Sequence, residues 1–201
     1  MSRTLLQIRT SVRRNIRASA RQVSDDDLND FINQAIDSAE GGMWYELADE
    51  SIELATDTYE YDLSTATLAK FDYIREIWLE SSTANLYDVL IPNEQWEPQY
   101  VSDYPELRFF RQWFSPVNGR NIRIIGWATQ SRVSDDDDVL YIDAVYLVMY
   151  ASALAHGVLL LDSDSSQPAR INARNAAFQL ADSRRRRNVQ RPSFPAKRIQ
   201  R

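Results

Sequence analysis

Residues 138–161, reading DVLYIDAVYLVMYASALAHGVLLL, constrain this chain more than any other stretch. From residue 144 onward the run carries no charge, and its one strongly polar side chain is His156. Mixed Leu, Ala, Met and Tyr without proline favour a helix over a strand, and no narrow apolar stripe stands out. Such a helix needs apolar partners on most of its sides. Eighteen uncharged residues also approach the length of a membrane span. Asp143, His156 and the tyrosines Tyr141, Tyr146 and Tyr150 argue against that, and so do flanks that are acidic rather than basic. The expectation is a buried core helix with no membrane partner.

Charge is sharply segregated along the 201 residues. Six arginines and no acid precede Ser24, and eight Lys/Arg and no acid follow from Arg184. All 29 acids lie between, against nine basic residues. Basic ends on an acidic body suit docking onto acidic surfaces of a partner or a second copy. The alternative is a nucleic-acid-binding protein using both basic termini, although the acidic body would repel phosphate. The chain has no cysteine, which removes disulfides and thiol chemistry. The first residues lack the apolar core and cleavage site of a secretory signal.

Around the central run, three further helices are expected. Residues 4–20 place Leu5, Ile8, Val12 and Ile16 on one face, with Arg9, Arg13 and Arg17 on the next. That arginine stripe is a candidate contact between copies. Residues 24–47 start at Ser24 with Asp25, Asp26 and Asp27 in the first turn, where carboxylates meet the positive helix end. Gly41 and Gly42 interrupt it, with Met43, Trp44 and Leu47 continuing its apolar surface. The last helix, 169–186, has small residues suited to close packing on the central one.

Between 51 and 127 the apolar period falls to two. Ile52 and Leu54 read as a hairpin with Tyr59, Tyr61 and Leu63. YIREIWL pairs with LYDVLI, and Asn118-Gly119 suggests a third hairpin between 107–114 and 121–127. Residues 93–106, which open the aromatic stretch between Trp96 and Trp113, are interrupted by Pro98 and Pro105 and read as an irregular excursion. The fold class expected is α+β, mainly α: a bundle of about four helices with a β-hairpin or small-sheet insertion and an extended C-terminal arm. Residues 1–183 form one domain and 184–201 the basic arm.

No catalytic constellation emerges. His156 stands alone in an apolar helix, and phosphate-binding, HExxH and GxSxG patterns are missing. Asp135, Asp136, Asp137 and Asp138 lack the spacing of a calcium loop and read instead as helix-capping acids below Ser134. No enzyme, cofactor or metal is expected. The distinctive functional signal is the arm, with Arg184, Arg185, Arg186, Arg187, Arg191, Lys197, Arg198 and Arg201. Pro192, Phe194, Pro195 and Ile199 give it anchors that a purely electrostatic tail would not need. Alone, such a segment should lack fixed structure.

The order LLQIRTSVRRNI, SDDDLNDFINQAIDSAEGGMWYEL, TYEYDLS, YIREIWLE and DDVLYIDAVYLVMYASALA resembles the head-to-tail adaptor (connector) proteins of tailed bacteriophages. The resemblance covers about 180 residues and rests on helix and strand texture. It implies a structural virion protein of the neck, assembled in the host cytoplasm as a ring, usually of twelve copies. The portal protein would lie above, tail or tail-tube (nozzle) proteins below, and genomic DNA would pass through unbound. It also implies that the arm, including Phe194 and Ile199, reaches into portal subunits.

Overall fold

A computed structural model describes residues 2–19, 21–39, 43–64, 68–101, 104–161, 168–187 and 197–199. The chain divides into two compact units, Met1–Trp44 with Gln130–Arg191, and Tyr45–Thr129 with Pro192–Arg201. Each unit is assembled from separate parts of the chain.

The first unit is helical. A short strand β1 (Arg3–Thr4) leads into α1 (Leu5–Ile16). A Thr4–Gln7 capping box satisfies the first amides of α1, and Arg17, in the left-handed region at φ 52°, ends it. Helix α2 (Asp25–Ala39) starts the same way, with the amide of Asp27 donating to Ser24 Oγ at 3.0 Å and the amide of Ser24 to Asp27 at 3.0 Å. After the second unit the chain returns to this one and runs into α3 (Ala144–Leu161), then α4 (Pro168–Arg187). Tyr146, Leu147, Ala151, Ala155 and Leu159 of α3 share one apolar cluster with residues of the other three helices. Those partners include Leu5, Ile8 and Val12 of α1, Leu28, Ile32 and Ile36 of α2, and Ala181 of α4. Each buried Leu, Ile or Val among them contributes about 1.5–3 kcal/mol by leaving water. The buried hydroxyls are satisfied: Tyr146 donates to the Ala35 carbonyl at 2.9 Å, and Ser152 accepts from Asn15 at 2.9 Å.

The central helix starts six residues later than its acids suggest. Asp138 Oδ2 accepts the amides of Ser134 and Asp135 at 2.8 and 2.9 Å, folding the four aspartates into a turn. Val139–Leu140 then pairs with β1, Arg3 opposite Leu140. The cap of α3 is Asp143, whose Oδ1 accepts the amides of Val145 and Tyr146 at 2.7 and 3.0 Å.

The second unit is built of sheets. Its strands are β2 (Trp44–Glu53), β3 (Glu60–Asp62), β4 (Tyr73–Glu80), β5 (Tyr87–Ile91), β6 (Trp96–Val101), β7 (Tyr104–Phe109) and β8 (Asn121–Thr129). With Val139–Leu140 as β9 and Lys197–Arg198 as β10, the described residues form ten strands in three sheets. A mainly α fold is thereby overturned: the class is α+β with the two contents comparable. One sheet runs β10-β4-β8-β2 with β5 also on β4, and another runs β3-β7-β6. Ile74, Ile77, Ile122 and Ile124 from the first sheet pack with Tyr61, Trp96, Leu107 and Phe109 from the second.

Three local causes underlie the difference. Trp44 and Leu47 belong to a ten-residue strand rather than a last helical turn. Residues 96–101 and 104–109 pair as β6 and β7, and Pro98 sits on the edge strand β6, where a missing N–H is tolerated. Gly119 does turn the chain at φ 74°, but β7 pairs with β3 and β6 while β8 joins β4, so the turn links two sheets instead of closing a hairpin. Likewise β2 and β3 lie in different sheets, whereas β4 and β5 are paired.

Candidate assembly surfaces

Arg9, Arg13 and Arg17 have unequal fates. Arg9 is 8% exposed. It reaches Asp136 at 2.8 Å, Asn29 at 3.3 Å and Asp25 at 3.4 Å. Arg13 donates to Asp25 at 2.5 Å and to the Val23 carbonyl at 2.9 Å. The Arg13 hydrogen bond, helped by the charge of Arg9, holds the Asp25 carboxyl below its ordinary range. Both arginines therefore tie α1 to the start of α2 inside their own unit, and only Arg17 of the stripe faces solvent. Helical spacing puts Arg14 and Arg17 together on the exposed side, with Arg3 exposed in the strand before. Sequence periodicity could have singled out this outer row, since it lies opposite Leu5, Ile8 and Val12.

The basic arm starts inside α4. Arg184 and Arg185 are half-buried, and the exposed Arg186 pairs with Asp182 at 2.7 Å one turn back. Arg187 ends the helix; Arg191, Phe194 and Arg201 lie outside the described residues. Lys197, Arg198 and Ile199 are seated on the second unit's own sheet. Lys197 stands opposite Ile74 and Arg198 opposite Tyr73 in an antiparallel ladder, and the Ile199 amide donates to the Asp72 carbonyl at 2.9 Å. Ile199 is 4% exposed, within the cluster that contains Ile74 and Trp96. Lys197 Nζ donates to the main-chain carbonyls of Asn93 and Trp96 and stands 4.6 Å from the Trp96 ring centroid. Burial pushes the Lys197 ammonium below its ordinary pKa, against the raising influence of Glu97 and Glu94. An arm without fixed structure is thus not what these three residues show; alternation of Lys197 and Ile199 with an open strand edge seats them.

Residues 3–198 match the family described as SU10 adaptor protein. The chain belongs to that family. It is a structural protein of the phage head-to-tail adaptor kind. No curated protein matches the adaptor. Among solved structures it is similar to a chain of the neck of an empty GTA particle computed with C6 symmetry. That similarity has 13% sequence identity over 96% of this chain and 98% of the other, with a TM-score of 0.32.

The adaptor's remaining sequence candidates are explained by structure. His156 is buried on α3, and burial first, then the Arg170 charge, keeps its imidazole below the ordinary pKa. Its buried Nδ1 has no hydrogen-bond partner among the described residues. Among those residues no group of three His, Cys, Asp or Glu is placed to hold a metal ion. Trp96 is fully buried, whereas Trp113 is exposed and meets Phe110 edge-on at 5.8 Å. Helix α3 has the length and composition of a membrane span, but half of it is buried in the unit.

Proposed function

We infer that the adaptor assembles as a ring between the portal protein and the tail or nozzle proteins, with twelve copies as the resemblance implies, and that genomic DNA passes through it without specific binding. It carries out no chemistry. The observation that carries this reading is the family match across nearly the whole chain, 3–198. The acidic body supports a DNA-passing wall, since carboxylates repel phosphates. Contacts between copies use Arg17 with the neighbouring Arg14, because Arg9 and Arg13 are already paired. Arg184 to Arg201 form the portal-binding arm, in which helical Arg184, Arg185 and Arg186 lead towards Arg191, Phe194, Lys197, Arg198 and Ile199.

The test is a chain ending at Arg187, which keeps α4 whole. It should fold, stay soluble and lose binding to purified portal-bearing heads. Binding equal to that of the full chain would remove the arm from the mechanism. DNA affinity with a steep salt dependence in the full chain would favour phosphate binding by the basic ends instead.

A further inference from the structure

We propose that Lys197, Arg198 and Ile199 are a latch in cis, occupying a strand-acceptor edge of β4 in the free adaptor and leaving it when the C-terminal arm engages the portal. This rests on the arm reading above. Strand β4 has one long side covered by β8 and the other covered in two parts. The β5 strand covers Ile77 to Glu80, and β10 covers Tyr73 and Ile74. Without β10, the Asp72 carbonyl and the main chain at Ile74 would be open to any extended strand.

The seat is specific but small. It consists of a two-residue ladder, one buried aliphatic side chain and one ammonium on two carbonyls. So few contacts order a chain end only weakly, which puts this segment at the low end of local stability. Ile199 cannot fill the Trp96-containing cluster and an apolar pocket on another protein at once. Seating therefore competes with docking, and the portal must out-compete the adaptor's own sheet.

The geometry supplies a clean lock. Because the Ile199 amide bonds to Asp72, the next residues along the antiparallel ladder, Arg198 and Tyr73, form a non-hydrogen-bonded pair. Such pairs bring Cα atoms to about 4.5 Å, within the range a disulfide spans. The chain has no cysteine of its own to interfere. The experiment joins the full-length double variant Tyr73→Cys/Arg198→Cys to purified portal-bearing heads, oxidised and reduced. The expected result is an intrachain cross-link and at least tenfold weaker joining on oxidation, restored by reductant. Equal joining by the locked protein would overturn the latch, and so would a cross-link between copies, which would put β10 on a neighbour's sheet.

A second measurement uses the unmodified adaptor. Hydrogen exchange at the Ile74 amide should rise on portal binding, and unchanged protection there would also overturn the proposal. The chain ending at Arg187 separates the two ideas. If it joins normally the arm reading fails; if it cannot join but the locked chain can, the arm stands and the latch fails.

Discussion

Arg9 and Asp136, 127 residues apart in sequence, meet at 2.8 Å and join the start of the chain to the turn before α3. Asp25 completes the cluster at 3.4 Å from Arg9. Arg9→Met should destabilise the helical unit by about 1–2 kcal/mol. That is less than for a fully buried pair, because both carboxylates are about half exposed and can return to water. Urea titration followed by far-UV circular dichroism measures it. Arg17→Met should leave the same midpoint unchanged.

Acid should loosen this unit in a defined direction. Asp25 is held low by Arg13 and Arg9, Asp37 by Arg132, and Asp138 by the Ser134 and Asp135 amides. Their folded pKa values lie below the unfolded ones, so the unfolded chain binds more protons in that window. The stability they confer is complete above the ordinary carboxylate pKa and is lost as pH falls through the folded values. Melting temperature should fall gently below about pH 7, where the buried His156 resists protonation, and drop more steeply below about pH 4 as the carboxylates protonate. Asp25→Asn should make that drop shallower.

Capping of α3 resides at Asp143, not in the four preceding aspartates. Asp143→Ala should cost about 1 kcal/mol. Exposed Asp137, changed to Asn, should stay within about 0.5 kcal/mol of the parent. Paired denaturation curves separate the two.

Gly126 faces Ile74 beside the irregularity in β4. A Cβ there would overlap the Tyr73 carbonyl oxygen and come within 2.6 Å of the Phe71 ring. Gly126→Ala should therefore cost about 3 kcal/mol by overpacking, read as a lower unfolding midpoint of the sheet unit.

Ile199 and Ile122 are both buried in one cluster, yet their truncation should differ. Ile122→Ala, in mid-sheet, should cost about 2–5 kcal/mol. For Ile199→Ala the cost cannot exceed that of letting the chain end go, so about 1 kcal/mol is expected. Similar values would show β10 to be as firmly held as β8.

The helices were legible because their signals are local. Leu5, Ile8, Val12 and Ile16 repeat at helical spacing, and Ser24 with Asp27 caps within one turn. Sheet pairing was legible only where partners are neighbours in sequence, as in β4 and β5. The partnership of β4 with β8 spans some fifty residues, and the period-two pattern of either strand says nothing about which strand lies beside it. Prolines misdirected the reading of 93–106, since Pro98 forbids a central strand but not an edge. The arginine stripe was visible as a row of charge, but which members meet acids depends on where Asp25 and Asp136 arrive in space. The arm's composition announced charge and gave no sign that Ile199 would find its own sheet.

The β1–β9 ladder, Arg3 against Leu140, bears on the order in which the adaptor folds as it is made. Residues 45–129 leave the ribosome as one uninterrupted run and can close their sheets during synthesis, except for the strand contributed by 197–198. Helix α1, made first, has its partners Asp136 and α3 delivered more than a hundred residues later. High sequence separation slows folding, so the helical unit should be completed last, with its apolar face the surface most in need of a chaperone in the interval.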